Sequence, residues 1–159
     1  MKKKFCLDTS VFINGWWKHY RIDVFPSFWE TLERLMSDGT VVSCHEVYEE
    51  LRRQDGDTLF KWAKRHRAIF EEPTEDTFLQ LSELMDAYPN YAAISGTLNA
   101  ADPWVIAHAK LGRSIVVTYE EKAAKRKPTK PPKMPDVCDD LGMRSLKVVD
   151  FLKEAKISF

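Results

Sequence analysis

Acidic residues follow or flank the hydrophobic runs of this 159-residue chain at four places. Asp8 comes directly after the run 5–7, and Glu120 lies two residues after the run 114–118. Glu50 falls on a predicted helix behind the second hydrophobic run, and Asp102 opens the helix predicted before the run 114–118. Because ligands of an open α/β sheet bind beyond the carboxyl ends of its strands, these acids can converge on one pocket.

A cluster of carboxylates favours a particular chemistry. Like charges raise each other's pKa, so the cluster stays ionised at low cost only beside a cation. Hard divalent ions such as Mg²⁺ or Mn²⁺ prefer oxygen ligands. Such ions hold a phosphate, activate a water molecule and stabilise a leaving oxygen, so no serine or cysteine nucleophile is needed. The pattern therefore favours metal-dependent cleavage of a phosphodiester bond.

Structural roles are an alternative for two of these acids. Asp8 can cap a turn or the following helix. Asp102, before Pro103, can be a helix N-cap. Asn99 can instead take the cap position, which would leave Asp102 in the first helical turn, where the helix dipole favours an acid.

The glutamates after the second hydrophobic run have alternatives of the same kind. Glu46 and Glu49 are predicted to be solvated helix surface. Glu50 can pair with Arg52 or Arg53 instead of facing a pocket.

The elements that must position these acids alternate along the chain. Strands are predicted at 5–7, 40–43, 114–118 and 143–146, from short apolar runs next to turn residues. Helices are predicted at 25–36, 46–53, 58–69, 76–87, 103–111 and 148–155. Alternating strands and helices favour an α/β fold, with parallel strands and helices on both faces of the sheet. With no repeat and no Gly-rich linker, the whole chain, 1–159, is predicted to be one domain.

Composition narrows the functional classes. The chain has 24 Lys plus Arg and 24 Asp plus Glu, so its zero net charge provides no overall attraction to nucleic acid. No apolar stretch is long enough for a membrane span. Asp8 interrupts the apolar run behind the basic start too early for a signal peptide, so a cytoplasmic protein is expected.

The cysteines and histidines show no metal-binding spacing. Three widely spaced cysteines argue against a disulfide framework, and Cys6, Cys44 and Cys138 are predicted to be buried thiols. Cys44-His45 is too isolated to be a metal knuckle. His108 is predicted to point away from Asp102 on its helix.

A basic, proline-rich segment at 122–133 is predicted to be a mobile surface loop. Its residues Lys122, Lys125, Arg126 and Lys127 could bind phosphates on either side of a cleavage site, or could simply be solvated.

The chain also contains five tryptophans. Trp16 and Trp17 could stack on bases, but core packing or a dimer interface is favoured. Trp29, Trp62 and Trp104 fall on apolar helix faces and are predicted to be core residues.

The four acidic segments together resemble the motifs of the PIN-domain nucleases, as in VapC-type toxins. Residues 7–13, LDTSVFI, resemble the opening motif, and residues 47–51, VYEEL, the second. Residues 101–109, ADPWVIAHA, resemble the third, and residues 114–120, SIVVTYE, the last, in which Glu120 replaces an Asp. Residues 134–138, MPDVC, resemble one PIN-like subgroup of uncharacterised proteins.

The resemblance implies a three-layer α/β/α sandwich around a central parallel sheet. It implies Mg²⁺- or Mn²⁺-dependent cleavage of RNA that leaves a 3′-hydroxyl and a 5′-phosphate. Asp8, Glu50 and Asp102 would be metal ligands, with Glu120 as the fourth acid and Ser10 as a support for Asp8 or for a metal-bound water. Because Glu120 stands where the family has an Asp, the resemblance does not determine whether the site holds one metal ion or two. For the same reason the fourth acid could instead be Asp136, Asp139 or Asp140.

The resemblance also implies biological partners. These are an RNA substrate, an antitoxin protein if the chain is the toxin of a toxin–antitoxin pair, and a second copy in a homodimer.

Other classes of protein fit less well. Phosphatases that form an aspartyl phosphate need a second acid two residues after the first, where this chain has Ser10. No Gly-rich phosphate-binding loop is present. The remaining alternative is a catalytically weak or inactive RNA- or protein-interaction module that kept the fold.

Overall fold

A five-stranded parallel sheet forms the centre of the chain in a computed structural model that describes residues 2–54, 58–92 and 100–159. The strand order is β3-β2-β1-β4-β5, and every neighbouring pair is parallel. The strands are β1 (Phe5–Leu7), β2 (Val41–Cys44), β3 (Phe70–Glu71), β4 (Ile115–Val117) and β5 (Ser145–Leu146). The predicted parallel α/β fold is therefore confirmed. The two-residue edge strand β3 escaped prediction because so short a strand has no visible period.

Helices connect the strands. They are α1 (Thr9–Asn14), α2 (Pro26–Ser37), α3 (His45–Gln54), α4 (Thr58–Arg65), α5 (Glu75–Ala87), α6 (Pro89–Ala92), α7 (Asp102–Gly112), α8 (Met134–Asp140) and α9 (Val148–Glu154). A π-helical turn, Gly15–His19, follows α1, and a 3₁₀ turn, Arg67–Ile69, follows α4. Helix α8 lies in a segment for which no helix was predicted, and the predicted last strand is reduced to two residues.

The strand order determines the layers. The chain moves from β1 towards β3 at one edge, then crosses to β4 and β5 at the other. Because crossovers between parallel strands are right-handed, the first two connections cover one face of the sheet and the last two cover the other. Helix α7 packs along β1, β2 and β4, which places its first residue near the carboxyl ends of the central strands.

Aromatic residues fill the layer formed by α1, α2 and α4. Trp62 is fully buried, and its ring lies 5.0 Å from that of Trp29 and 5.9 Å from that of Phe12. Trp16 also lies in the core, whereas Trp17 is 48% exposed. The core positions predicted for Trp29 and Trp62 are confirmed, and Trp104 is partly buried against the core.

Among the described residues, no helix combines the length and the apolar character that a bilayer crossing requires.

Candidate functional site

The four predicted acids line one pocket of about 390 Å³ at the carboxyl edge of the sheet. Asp8 follows β1, Glu50 lies on α3, Asp102 is the first residue of α7, and Glu120 follows β4. The other lining residues are Thr9, Ser10, Ile13, Asn14, Tyr119 and Lys133. Four separate elements thus bring their carboxylates to the point where the strand order reverses, between β1 and β4.

Asp8 is both a helix cap and a pocket residue. Its Oδ1 accepts hydrogen bonds from Ser10 Oγ (2.5 Å) and from the backbone N–H of Val11 (3.3 Å), so it is the N-cap of α1. Its Oδ2 accepts a hydrogen bond from Thr118 Oγ1 (2.6 Å). The pairing of Leu7 with Val117 across β1 and β4 places Thr118 beside Asp8. Burial raises the pKa of Asp8, although these donors act against that rise.

Ser10 is hydrogen-bonded to Asp8, and the supporting role that the resemblance implies for it stays a prediction. Its hydroxyl donates to Asp8 and accepts the backbone N–H of Tyr119 at 3.0 Å, so it ties the start of α1 to the end of β4. Thr118 supports Asp8 from the other side, and sequence reasoning missed it. The available signal was the position of this threonine at the end of the apolar run 114–118, where a strand was predicted.

Glu50 is almost completely buried, with 2% of its surface exposed. Its Oε2 accepts a hydrogen bond from Thr9 Oγ1 (2.5 Å), and its Oε1 accepts one from the backbone N–H of Ala101 (2.8 Å). Burial raises the pKa of Glu50, the two donors lower it, and the charge of Asp8 raises it further. Arg52, considered above as an ion-pair partner of Glu50, pairs with Glu49 instead. Glu50 faces the pocket.

The carboxyl group of Asp102 has a strongly raised pKa. Burial raises its pKa from 3.8 to about 9, and the charges of Asp8, Glu120 and Glu50 contribute in that order. Asp102 is not the N-cap of α7, because the helix begins at Asp102 and the cap position is Ala101. Asn99, the alternative cap, lies outside the described residues.

Glu120 completes the acidic wall of the pocket. One carboxylate oxygen lies 3.7 Å from Lys133 Nζ, and the carboxylate also accepts the backbone N–H of Met134 at the start of α8. Burial raises the pKa of Glu120, while Met134 and Lys133 lower it. Lys133 is the cation of the pocket lining, and the sequence analysis did not assign it a role in the site.

The three alternative acids are directed elsewhere. Asp136 Oδ2 accepts the backbone N–H of Ala123 (2.9 Å), Asp139 pairs with Lys122 (2.5 Å), and Asp140 pairs with Arg126 (2.8 Å). None of them is among the described residues that line the acidic pocket.

The basic segment 122–133 has no helix or strand and is largely exposed, so the predicted surface loop is confirmed, while its mobility stays a prediction; these contacts connect it to α8. Arg126 also donates to the backbone carbonyl of Asp136 at 2.8 Å. Two of the four predicted phosphate-binding residues, Lys122 and Arg126, therefore have acidic partners. Lys125 and Lys127 are exposed and, with Arg126 and Lys133, line a second pocket of about 610 Å³.

Glu46 is not the solvated surface residue that was predicted. Only 17% of its side chain is exposed, and its Oε2 faces Nε2 of His108 on α7 at 3.8 Å. The prediction failed because helix α3 packs against α7, a contact that the local sequence does not indicate. Cys6, Cys44 and Cys138 are free and buried, as expected.

The fold and the pocket define a parallel α/β protein with a carboxylate cluster at the topological switch point. The chain belongs to the family described as Domain of unknown function (DUF4411), which it matches over residues 5–159. No curated protein matches its sequence. A solved structure with some similarity is the VapBC2 complex from Rickettsia felis bound to a DNA fragment from its promoter. It is 16% identical, the match covers 72% of this chain and 85% of that chain, and the TM-score is 0.46.

Proposed function

We propose that this chain is a metal-dependent endoribonuclease whose active site is the acidic pocket. The observation that carries the proposal is the convergence of Asp8, Glu50, Asp102 and Glu120, each with its pKa raised by burial. Of the described residues that line the pocket, only Lys133 is a cation. Four carboxylates facing one lysine make a site that a divalent cation would stabilise.

The chemistry of the donor set fits Mg²⁺ or Mn²⁺. The four carboxylates and the hydroxyls of the pocket present hard oxygen atoms, which these ions prefer. Asp8, Glu50, Asp102 and Glu120 would hold the metal. When bound, such an ion polarises a phosphodiester and lowers the pKa of the attacking water.

The chain's own residues supply orientation and charge. Ser10 and Thr118 fix the two oxygens of Asp8, and Thr9 and the Ala101 amide fix those of Glu50. Carboxylates held in this way meet an ion without first losing side-chain freedom. Lys133, at the pocket wall, would contact a phosphate oxygen of the substrate.

The second pocket is the proposed path of the RNA strand. Its lining includes Lys125, Lys127 and Lys133, and Lys133 is shared with the acidic pocket. A phosphate backbone that follows these lysines would lead directly to the carboxylates. Lys122 and Arg126 are weaker candidates for this role, because each is already paired with an acid.

A test of the catalytic proposal compares neighbouring glutamates on one helix. Purified protein with Mn²⁺ should cleave single-stranded RNA, and EDTA should stop the reaction. Asp8→Asn and Glu50→Gln should lower the cleavage rate by at least about 100-fold. The matched control Glu49→Gln removes the same charge one residue away, outside the pocket, and should cleave as the wild type does.

Two results would contradict the proposal. These are the absence of cleavage with any divalent ion, and equal cleavage by wild type and Asp8→Asn. RNA binding without cleavage in the presence of Mn²⁺ would favour the alternative, an inactive interaction module.

The substrate path has its own test. The double substitution of Lys125 and Lys127 by Gln should weaken RNA binding and reduce the slope of log K against log salt by about 1.4 to 2. The control Lys153→Gln, on the exposed surface of α9, should leave both unchanged. An unchanged slope in the double variant would exclude the second pocket as the RNA path.

We also propose that the chain acts as the toxin of a toxin–antitoxin pair. Several large apolar side chains are exposed near the π-helical turn. Phe25 (40% exposed) and Phe159 (58% exposed) both have rings within about 6 Å of Tyr20. An exposed apolar patch of this kind is suited to a protein partner.

Induced wild-type protein should arrest the growth of its host, and normal growth would contradict a toxin role. The Asp8→Asn variant, expressed to the same level, should not arrest growth.

A further inference from the structure

A second group of potential metal ligands lies where β2, α3 and α7 meet. Cys44 ends β2, Glu46 is in the first turn of α3, and His108 is in the second half of α7. The Cys44 Sγ, a Glu46 carboxylate oxygen and a His108 ring nitrogen all lie within 4.8 Å of one another. None of the three residues lines the acidic pocket, so the group is a separate feature.

Two of these side chains are buried with atoms that lack a hydrogen-bond partner. Among the described residues nothing bonds to Glu46 Oε2 or to His108 Nε2. The side chain of His108 is only 7% exposed, and its Nε2 points at Glu46 Oε2 from 3.8 Å. That distance is too long for a direct hydrogen bond. Because a buried polar atom without a partner is costly, the gap calls for an occupant.

We propose that Cys44, Glu46 and His108 bind one Zn²⁺ ion. Thiolate, imidazole and carboxylate together are a typical zinc donor set, and a thiolate disfavours Mg²⁺. On binding, the Cys44 thiol releases its proton to solvent, so one thiolate and one carboxylate balance the two charges of the ion. The buried site is then electrically neutral. A water molecule completes the fourth position.

The spacing of the ligand atoms suits such an ion. Three atoms that are no more than 4.8 Å apart share a point within about 2.8 Å of each, compared with zinc–ligand distances of about 2.0–2.3 Å. Tetrahedral zinc ligands lie about 3.3–3.8 Å from each other, which is close to the separation between Glu46 and His108. Rotamer adjustments of at most about 0.5–0.8 Å per ligand atom would complete the coordination.

The protonation state of His108 also suits a metal. Burial lowers the pKa of His108, so its imidazole is neutral and a nitrogen lone pair is available. Burial raises the pKa of the Cys44 thiol, and the neighbouring Cys6 and Glu46 raise it further, whereas the backbone N–H of Val47 donates to Sγ and lowers it. A zinc ion would supply the positive charge that the buried thiolate needs.

The proposed ion would connect two helices that carry pocket acids. Glu46 lies one turn before Glu50 on α3, and His108 lies six residues after Asp102 on α7. A bond from each helix to a common ion fixes α3 against α7. The zinc would therefore hold the distance between Glu50 and Asp102.

The decisive experiment uses the full wild-type chain. Protein stripped with a chelator and reloaded with one equivalent of Zn²⁺ should retain one zinc per chain after gel filtration. X-ray absorption at the zinc edge should find one sulfur neighbour, with nitrogen and oxygen as the others. Failure to retain zinc would overturn the proposal and leave a bridging water as the occupant. A zinc shell made only of oxygen would also overturn it, because that result assigns the ion to the acidic pocket.

Variants then assign the ligands. His108→Gln and Glu46→Gln should each weaken zinc binding by at least about 100-fold. Even the loss of a residue that only supports a metal ligand lowers metal affinity by about 10- to 100-fold. The matched control Cys138→Ala removes a buried thiol outside the group and should bind zinc as the wild type does. Asp8→Asn should also retain zinc, which separates this site from the proposed nuclease centre. Unchanged zinc affinity in both His108→Gln and Glu46→Gln would refute the assignment, and if neither variant folds, the wild-type absorption spectrum still decides.

Discussion

The substitution Asp102→Asn should stabilise the metal-free protein. In the folded chain burial and three neighbouring acids raise the pKa of Asp102 to about 9, from 3.8. The folded chain therefore keeps this proton up to about pH 9, whereas the unfolded chain loses it near pH 4. Between these two values each rise in pH favours the unfolded state. Asparagine has nearly the same shape and carries no charge, so it removes this penalty.

The size of the effect follows from the same values. From 3.8 to pH 7 each pH unit is worth about 1.4 kcal/mol, which gives an upper bound of about 4 kcal/mol. Water can enter the pocket of about 390 Å³ and screens the carboxylates, so we expect about 2 kcal/mol. For a chain of this length that free energy corresponds to a rise in Tm of about 4–8 °C.

Thermal unfolding in EDTA, followed by circular dichroism, measures this gain. The matched control is Asp76→Asn, an exposed acid in the first turn of α5, which should leave Tm unchanged or slightly lower. The advantage of Asp102→Asn over wild type should grow as the pH rises from 5 to 8. Saturating Mn²⁺ should reverse the order, because the wild type gains binding energy that the variant lacks.

Two outcomes would refute this reasoning. If Asp102→Asn lowers Tm as much as or more than Asp76→Asn does, Asp102 is stabilised in the fold by contacts other than those described. If the difference from wild type does not change between pH 5 and pH 8, the proton is not held as proposed.

Three further predictions concern the scaffold. Thr118→Val removes the donor to Asp8 Oδ2 and should cost about 1–3 kcal/mol in urea unfolding, whereas Thr118→Ser should retain most of the stability. Trp62→Ala empties a fully buried site and should cost about 3–5 kcal/mol in the same assay, whereas Trp17→Ala, at a 48% exposed position, should cost less than about 1 kcal/mol. Arg113, after α7, has φ of 51°, so Arg113→Gly should stabilise the protein by about 1 kcal/mol, and an unchanged or lower Tm would contradict this.

Sequence reasoning was most successful where local pattern and topology agree. Asp8 directly follows one apolar run and Glu120 lies two residues after another, and the carboxyl ends of parallel strands must lie at one edge of the sheet. The sequence alone therefore predicts that these two acids lie close to Glu50 and Asp102. Strand β3 could not be predicted because it has only two residues. Helix α8 could not be predicted because it follows a proline-rich segment.

Contacts between elements that lie far apart in the sequence were missed. Lys133, the N-cap residue of α8, lines the acidic pocket although it lies 31 residues after Asp102 in the sequence. Composition identified the segment 122–133 as basic, but the acidic partners of Lys122 and Arg126 appear only in the folded chain.

The sequence by itself determined the parallel sheet and the four acids at its carboxyl edge. Apolar periodicity and strand-end positions are local properties, and they are sufficient for that inference. Only the tertiary structure decided that Thr118 holds Asp8 and that Glu46 meets His108. The physical reason is that helix–helix packing and strand register bring together side chains more than 60 residues apart, and no local pattern encodes that distance.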